Sequence, residues 1–139
     1  MKIVIIDGQG GQLGALLVKE VTTRIPGAEI TAIGTNALAT SAMLKAGASR
    51  GATGENPVIV ACRRAEVILG PIGIVIPDSM LGEVTPKMAL AIGQADAVRI
   101  LIPMNKCENL VAGVQSVSLG ALVADAVEKL HRIAEEKNT

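Results

Sequence analysis

Four glycines lie close together near the start of the chain, directly after a short apolar run. They fall in the segment from Gly8 to Gly14, whose letters GQGGQLG have the spacing GxGxxxG. Between a strand and a helix, such glycines permit a tight turn and let the backbone approach a bound group, while the free N–H groups of the helix start favour an anion. The segment therefore predicts a cradle for a phosphate-bearing ligand. A glycine turn that only packs tightly is the alternative.

The residue before the glycines is an acid, Asp7. A carboxylate at this place repels a phosphate unless it orders the glycine loop or contacts a sugar or a metal ion. Bracing of the loop and a part in catalysis both stay open. We predict that this first segment of the site consists of Asp7, Gly8, Gln9, Gly10 and Gly11.

The other predicted strands also end in glycine or small polar residues. In an open parallel sheet, ligands bind beyond the carboxyl ends of the strands, near the point where the strand order reverses. Because all these ends meet at one edge, we predict that they line a common cleft. Its further residues are Thr35, Asn36, Gly70, Gly73, Asn105 and Lys106, with Asn36 also a candidate helix cap.

Dinucleotide sites use an acidic residue directly after the second strand to bind the ribose hydroxyls. This sequence has no acid at that place. Glu29 has the right sequence distance from the glycines, but it stands at the start of that strand. Thr35 and Asn36 occupy the expected place instead. The cofactor therefore stays unassigned, with NAD(P) or another nucleotide as the candidates.

A lysine beside a cysteine forms the most reactive-looking pair. Lys106 can lower the pKa of the neighbouring Cys107 thiol and so activate it. Asp78 and Glu83 follow the third strand in a loop that can reach the same cleft, and the single histidine, His131, lies far away on the last predicted helix. The catalytic candidates are Lys106, Cys107 and Asp78, and a small enzyme acting on a phosphorylated or carboxylated metabolite is an alternative function.

Composition excludes several classes of protein. The 139 residues carry thirteen basic and thirteen acidic side chains and no Phe, Tyr or Trp, so neither a basic field nor stacking platforms exist for nucleic acid. No P-loop motif and no zinc-site spacing of Cys and His is present, and no metal site is predicted. The longest apolar stretch, Val67 to Pro77, is too short to span a membrane.

Location and assembly follow from the same composition. The two cysteines, Cys62 and Cys107, make no disulfide framework, which together with the lack of a secretory signal predicts a cytoplasmic protein. Cys62 is expected in the core and Arg63-Arg64 on a solvated helix face. The apolar excess in a short chain favours a homodimer, and a non-catalytic regulatory or assembly subunit is a second alternative function.

Apolar runs alternate with helical patterns, which predicts one three-layer α/β Rossmann-like domain over residues 1–139, with a mostly parallel sheet of four to five strands flanked by helices. Residues 110–117 are a candidate fifth strand, either antiparallel or irregular, and residues 49–55 a loop. The predicted strands are Lys2 to Asp7, Glu29 to Ile33, Val67 to Gly70 and Ala97 to Ile102. The predicted helices are Gly11 to Arg24, Asn36 to Lys45, Pro57 to Ala65 with Asn56 as cap, Pro86 to Gly93, and Leu119 to Glu136 with Ser118 as cap.

Several of these motifs together resemble a family of short bacterial proteins classed as a domain of unknown function. The resemblance covers most of the chain and implies a small cytoplasmic domain, without any assigned activity. The first segment is similar, more loosely, to NAD(P)-binding Rossmann domains. The segments that carry the family resemblance are Asp7 to Gly11, Gly34 to Asn36, Ala52 to Asn56, Gly70 to Ile76 and Asn105 to Cys107.

Overall fold

The computed structural model describes residues 1–104 and 109–139. These residues form five strands and five α-helices in alternation, with a short 3-10 helix, Ile72–Val75, after the fourth strand. The strands are β1 (Lys2–Asp7), β2 (Glu29–Gly34), β3 (Arg50–Thr53), β4 (Val67–Pro71) and β5 (Val98–Ile102). The helices are α1 (Gln12–Arg24), α2 (Ala37–Lys45), α3 (Glu55–Cys62), α4 (Pro86–Gln94) and α5 (Leu119–Lys137).

The described strands form one sheet in the order β3-β2-β1-β4-β5, and every neighbouring pair is parallel. The chain builds outward from β1 through β2 to β3 and then returns to the other side of β1 for β4. The strand order therefore reverses between β1 and β4, which is where an open α/β sheet has its ligand crevice. The predicted three-layer, Rossmann-like α/β fold is confirmed.

Strand β1 lies in the middle of the sheet and is covered on both faces. Ile3 and Ile5 belong to the core formed with α1, α2 and α5. Val4 and Ile6 belong to the core on the other face, with α3 and α4. Alternate residues of a strand point to opposite faces, so an uninterrupted apolar run is what a strand between two helix layers requires.

The last helix, α5, has the amphipathic pattern that the sequence predicts. Its buried residues are Val123, Ala126, Val127 and Leu130, at the i, i+3, i+4, i+7 spacing of one helix face. The side chain of Ser118 accepts a hydrogen bond from the Ala121 N–H at 3.2 Å and caps the helix as predicted. Across the described part of the chain, no helix has both the length and the apolar character needed to cross a bilayer.

One predicted loop is wrong, and one candidate strand has the irregular structure that was one of its two predicted alternatives. Residues 50–53, predicted as part of a loop, form the edge strand β3, whose small residues pair with β2 through the backbone. Such a strand has no apolar run that would identify it, because it is held by backbone hydrogen bonds to its neighbour rather than by buried side chains.

Residues 110–117, the candidate fifth strand, are exposed and have no strand structure, with a turn at Ala112-Gly113. They pair with no edge of the described sheet, so an isolated strand has nothing to stabilise it.

Helix α3 begins two residues before the predicted position. Gly54, with φ 109°, precedes the first helical residue Glu55, and Asn56 and Pro57 both lie inside the first turn. Proline is tolerated there because the N–H groups of a first turn have no partner within the helix. The Asn-Pro pair therefore marks the start of the helix without being its cap.

Cys62, at the end of α3, is buried in the core shared with α4, as the sequence predicts. Burial raises the pKa of its thiol to about 11, against a small lowering by the charge of Arg99. In a Cys107→Ser variant, which isolates this thiol, we expect Ellman's reagent at pH 8 to react at least about a hundredfold more slowly with the native protein than after denaturation in urea. Equal rates in the two states would contradict the buried position.

Candidate ligand site at the carboxyl edge of the sheet

The turn after β1 presents free N–H groups to the crevice. It closes with a hydrogen bond of 2.9 Å from the Gly11 N–H to the Gly8 carbonyl, and Gln9 and Gly11 adopt positive φ values of 51° and 74°. Among the described residues, the N–H groups of Gly10, Gln12 and Leu13 donate to no acceptor. These groups surround the N-terminus of α1, where the helix dipole favours an anion.

Gly10 is the open point of this turn. A Cβ atom built on it would meet no atom within 4 Å, and its φ lies outside the left-handed region. Neither packing nor backbone geometry in the described protein therefore demands a glycine at this position. A glycine here does, however, let a bound group approach the backbone closely.

The Asp7 carboxylate holds the turn to the first turn of α1. The residue is only 5% exposed, and its two carboxylate oxygens accept hydrogen bonds from the Gly8 N–H at 2.8 Å and from the Gly14 N–H at 2.7 Å. Burial raises the pKa of this carboxyl, the two N–H bonds lower it in part, and the charge of Glu83 raises it further, so that the pKa lies above its ordinary value. The carboxylate thus ties the end of β1 to the first turn of α1.

A second carboxylate, that of Glu83, reaches the turn from the loop between β4 and α4. Its Oε1 atom accepts three hydrogen bonds, from the Thr35 hydroxyl at 2.7 Å, the Asn36 side-chain amide at 2.8 Å and the Gln9 N–H at 2.9 Å. Partial burial raises the pKa of Glu83, but these hydrogen bonds outweigh it and hold the pKa below its ordinary value. Its Oε2 atom has no hydrogen-bond partner among the residues that the structure describes.

The loop that carries Glu83 has an unusual backbone. Asp78, Met80 and Leu81 have positive φ values of 66°, 57° and 57°, a region that costs a side-chain-bearing residue on the order of 1–3 kcal/mol. Hydrogen bonds inside the loop compensate, among them those from the Asp78 N–H to the Val84 carbonyl at 2.8 Å and from the Glu83 N–H to the Met80 carbonyl at 3.1 Å. The loop is thereby held in the shape that directs Glu83 toward the end of β2.

The end of β2 is locked to the same turn. Asn36 caps α2, its side-chain oxygen accepting from the Ala39 N–H at 2.9 Å, while its amide donates to the Gln9 carbonyl at 2.9 Å and to Glu83. The Thr35 N–H donates to the Asp7 carbonyl at 2.9 Å. Asn36 is therefore both a helix cap and a part of the network around the turn.

The remaining predicted site residues have different surroundings. A Cβ atom on Gly70 would lie 2.4 Å from the Ile6 carbonyl oxygen, so strand packing explains that glycine. The Gly73 carbonyl accepts from the Ser79 hydroxyl and from the Ile76 N–H. Asp78 is exposed, and its side chain makes no hydrogen bond to the described part of the turn. The predicted residues Asn105, Lys106 and Cys107 lie outside the described residues.

A cavity of about 590 Å³ lies away from the glycine turn, between α3 and the sheet face of β1, β2 and β3. In the described structure, α3 and α4 cover this face of the sheet, and α1, α2 and α5 cover the other. Its floor includes an exposed ion pair of 3.0 Å between Arg50 and Glu29, and Arg63 and Arg64 stand at its edge. We place the candidate site at the glycine turn, because free backbone donors and carboxylates converge there.

Comparison with known proteins identifies the family. Residues 2–135 match the model of the domain of unknown function (DUF3842), and the chain belongs to that family. Among curated proteins, none matches the sequence significantly. A similar solved structure is that of a dodecameric FMN-dependent Ubix-like decarboxylase from Escherichia coli O157:H7, with 15% identity, 93% of this chain and 75% of that chain covered, and a TM-score of 0.46. A likeness of this size carries no argument about the ligand of this chain.

Proposed function

We propose that this member of the DUF3842 family binds a nucleotide or another phosphate-bearing ligand at the turn from Gly8 to Gly11. The observation that carries the proposal is the open turn at the switch point of the sheet, with unused N–H groups and a glycine, Gly10, that packing does not require. A phosphate on these donors gains charge-assisted hydrogen bonds and the favourable end of the α1 dipole.

The two nearby carboxylates are compatible with a bound phosphate because donors occupy both oxygens of Asp7 and the Oε1 atom of Glu83. Each Asp7 oxygen accepts a backbone N–H, and Glu83 Oε1 accepts three donors. These hydrogen bonds spread the negative charge into the surrounding backbone and side-chain dipoles. The phosphate position at Gly10, Gln12 and Leu13 lies on the helix side of the turn, whereas Glu83 lies on the β2 side.

The other predictions from the sequence stay open beside this proposal. They are a single cytoplasmic domain that forms a homodimer, and an enzyme of phosphorylated or carboxylated metabolites that uses Lys106, Cys107 or Asp78. A non-catalytic assembly subunit also stays open. We favour the binding function because free backbone N–H groups converge at the turn after β1, beside a glycine that packing does not require.

Calorimetric titration with AMP, ADP-ribose, NAD, ATP, inorganic phosphate and adenosine tests the proposal. We expect saturable binding of the phosphate-bearing compounds and none of adenosine, since the turn offers donors for an anion. The chain has no Trp or Tyr, so a nucleotide carried through purification also dominates its ultraviolet absorbance. Absence of saturable heat for every phosphate compound at millimolar concentration would contradict the proposal.

A further inference from the structure

We infer that Glu83 accepts hydrogen bonds from the sugar of the ligand, so that this site takes a ribonucleotide with a free 2′-hydroxyl. The inference rests on the proposed function and names its ligand class more narrowly. Two observations carry it. Glu83 lies at the end of β2, and its Oε1 atom accepts hydrogen bonds from described residues whereas its Oε2 atom accepts none.

The place of the carboxylate is the first observation. The sequence has no acid directly after β2, but the structure brings Glu83 there from the loop after β4, onto Thr35 and Asn36. In an open α/β sheet whose phosphate lies on the turn after the first strand, the sugar lies toward the end of the second strand. Glu83 is therefore next to the sugar position, although it comes from another part of the chain.

The state of the two oxygens is the second observation. Oε1 accepts from Gln9, Thr35 and Asn36, which fixes the orientation of the carboxylate, while Oε2 accepts from no described residue. An ionised carboxylate accepts hydrogen bonds and donates none. Oε2 is open to solvent, so a ligand donor can reach it in place of water, and a sugar hydroxyl beside the phosphate cradle is such a donor.

The charge of Glu83 should make the site select a ligand with a 2′-hydroxyl over one with a 2′-phosphate. Glu83 is ionised at neutral pH, because its hydrogen bonds hold its pKa below the ordinary value. Among the described residues, no lysine or arginine forms an ion pair with it. A 2′-phosphate placed against it meets a like charge, whereas a 2′-hydroxyl donates to it. The site should therefore accept ADP-ribose and reject its 2′-phosphate.

In a competing explanation, the Glu83 carboxylate occupies the phosphate position of the turn until the ligand displaces it. Of the turn N–H groups, that of Gln9 donates to Glu83, whereas those of Gly10, Gln12 and Leu13 have no acceptor among the residues that the structure describes. The carboxylate thus stands beside the cradle and leaves most of its donors available. The two explanations predict opposite effects of neutralising Glu83.

The test compares the wild-type chain, Glu83→Gln and the control Glu136→Gln by calorimetry with AMP, 2′-deoxy-AMP, ADP-ribose, 2′-phospho-ADP-ribose and inorganic phosphate. Glu136 is exposed near the end of α5, far along the chain from the site. We expect the wild type and the control to prefer AMP over 2′-deoxy-AMP, and ADP-ribose over its 2′-phosphate, by about tenfold or more. Glu83→Gln should lose both preferences and leave the affinity for inorganic phosphate unchanged. Melting curves establish that each variant is folded.

Two results would overturn the inference while leaving the proposed function intact. One is nucleotide binding by the wild type with equal affinity for AMP and 2′-deoxy-AMP. The other is a tighter binding of inorganic phosphate by Glu83→Gln, which identifies the carboxylate as a placeholder. If neither the wild type nor Glu83→Gln binds any phosphate compound, the proposed function fails and the inference fails with it.

Discussion

Replacing Asp7 with alanine should lower the free energy of unfolding by about 2–4 kcal/mol. The change removes the acceptor of two backbone N–H groups, those of Gly8 and Gly14, in a buried place. A buried donor that loses its partner costs about 1–3 kcal/mol. Relief from burying a charge offsets part of this sum, because burial alone already raises the pKa of Asp7.

Urea unfolding followed by circular dichroism measures this effect, with Asp7→Asn as the matched control. Asparagine keeps the shape and one acceptor oxygen, so we expect about half of the alanine effect. An alanine variant as stable as the wild type would show that the carboxylate does not hold the turn to α1. In that case the ordered turn needs another cause.

Two neighbouring glycines should differ sharply in how they tolerate alanine. Gly11 has φ 74°, and a Cβ atom there would lie 2.7 Å from Ala39 Cα and 2.8 Å from the Ala39 carbonyl oxygen. The left-handed backbone and the collision with α2 together should cost about 2–4 kcal/mol. A Cβ atom on Gly10 would meet no atom of the described residues within 4 Å, so Gly10→Ala should change the stability by less than about 0.5 kcal/mol.

The same unfolding experiment compares Gly11→Ala with Gly10→Ala. The size of the difference between them tests the packing of the turn against α2, since the two variants add the same methyl group one residue apart. Equal stabilities would contradict the close approach of Gly11 to α2. A large loss for Gly10→Ala would mean that packing, and not a ligand, requires that glycine.

Most of the fold follows from local patterns. The uninterrupted apolar run of β1 indicates a strand buried on both faces, and the glycines after it mark the turn into α1. The Thr85-Pro86 pair predicts the start of α4, and Thr85 does accept a hydrogen bond from the Met88 N–H at 3.1 Å. The apolar residues of α5 at helical spacing predict which face of that helix is buried. Each of these signals depends only on residues close together in the sequence.

The rest depends on contacts between distant segments. Strand β3 is held by backbone pairing with β2, which leaves little trace in side-chain types. The reach of Glu83 to Gln9, across 74 residues, depends on a loop with positive φ at Asp78, Met80 and Leu81 that no residue preference predicts. The sequence placed Glu83 near the cleft but could not give its partners.

Binding of ADP-ribose to Gly10→Ala, measured by calorimetry beside the wild type, tests the central claim most directly. Gly93→Ala is the matched control, since Gly93 lies exposed on α4 and its Cβ atom would also meet nothing within 4 Å. We predict that Gly10→Ala has the melting temperature of the wild type but binds ADP-ribose at least about tenfold more weakly. Its methyl group would occupy the space through which the phosphate approaches the backbone. Wild-type affinity in a folded Gly10→Ala would contradict a phosphate cradle at this turn.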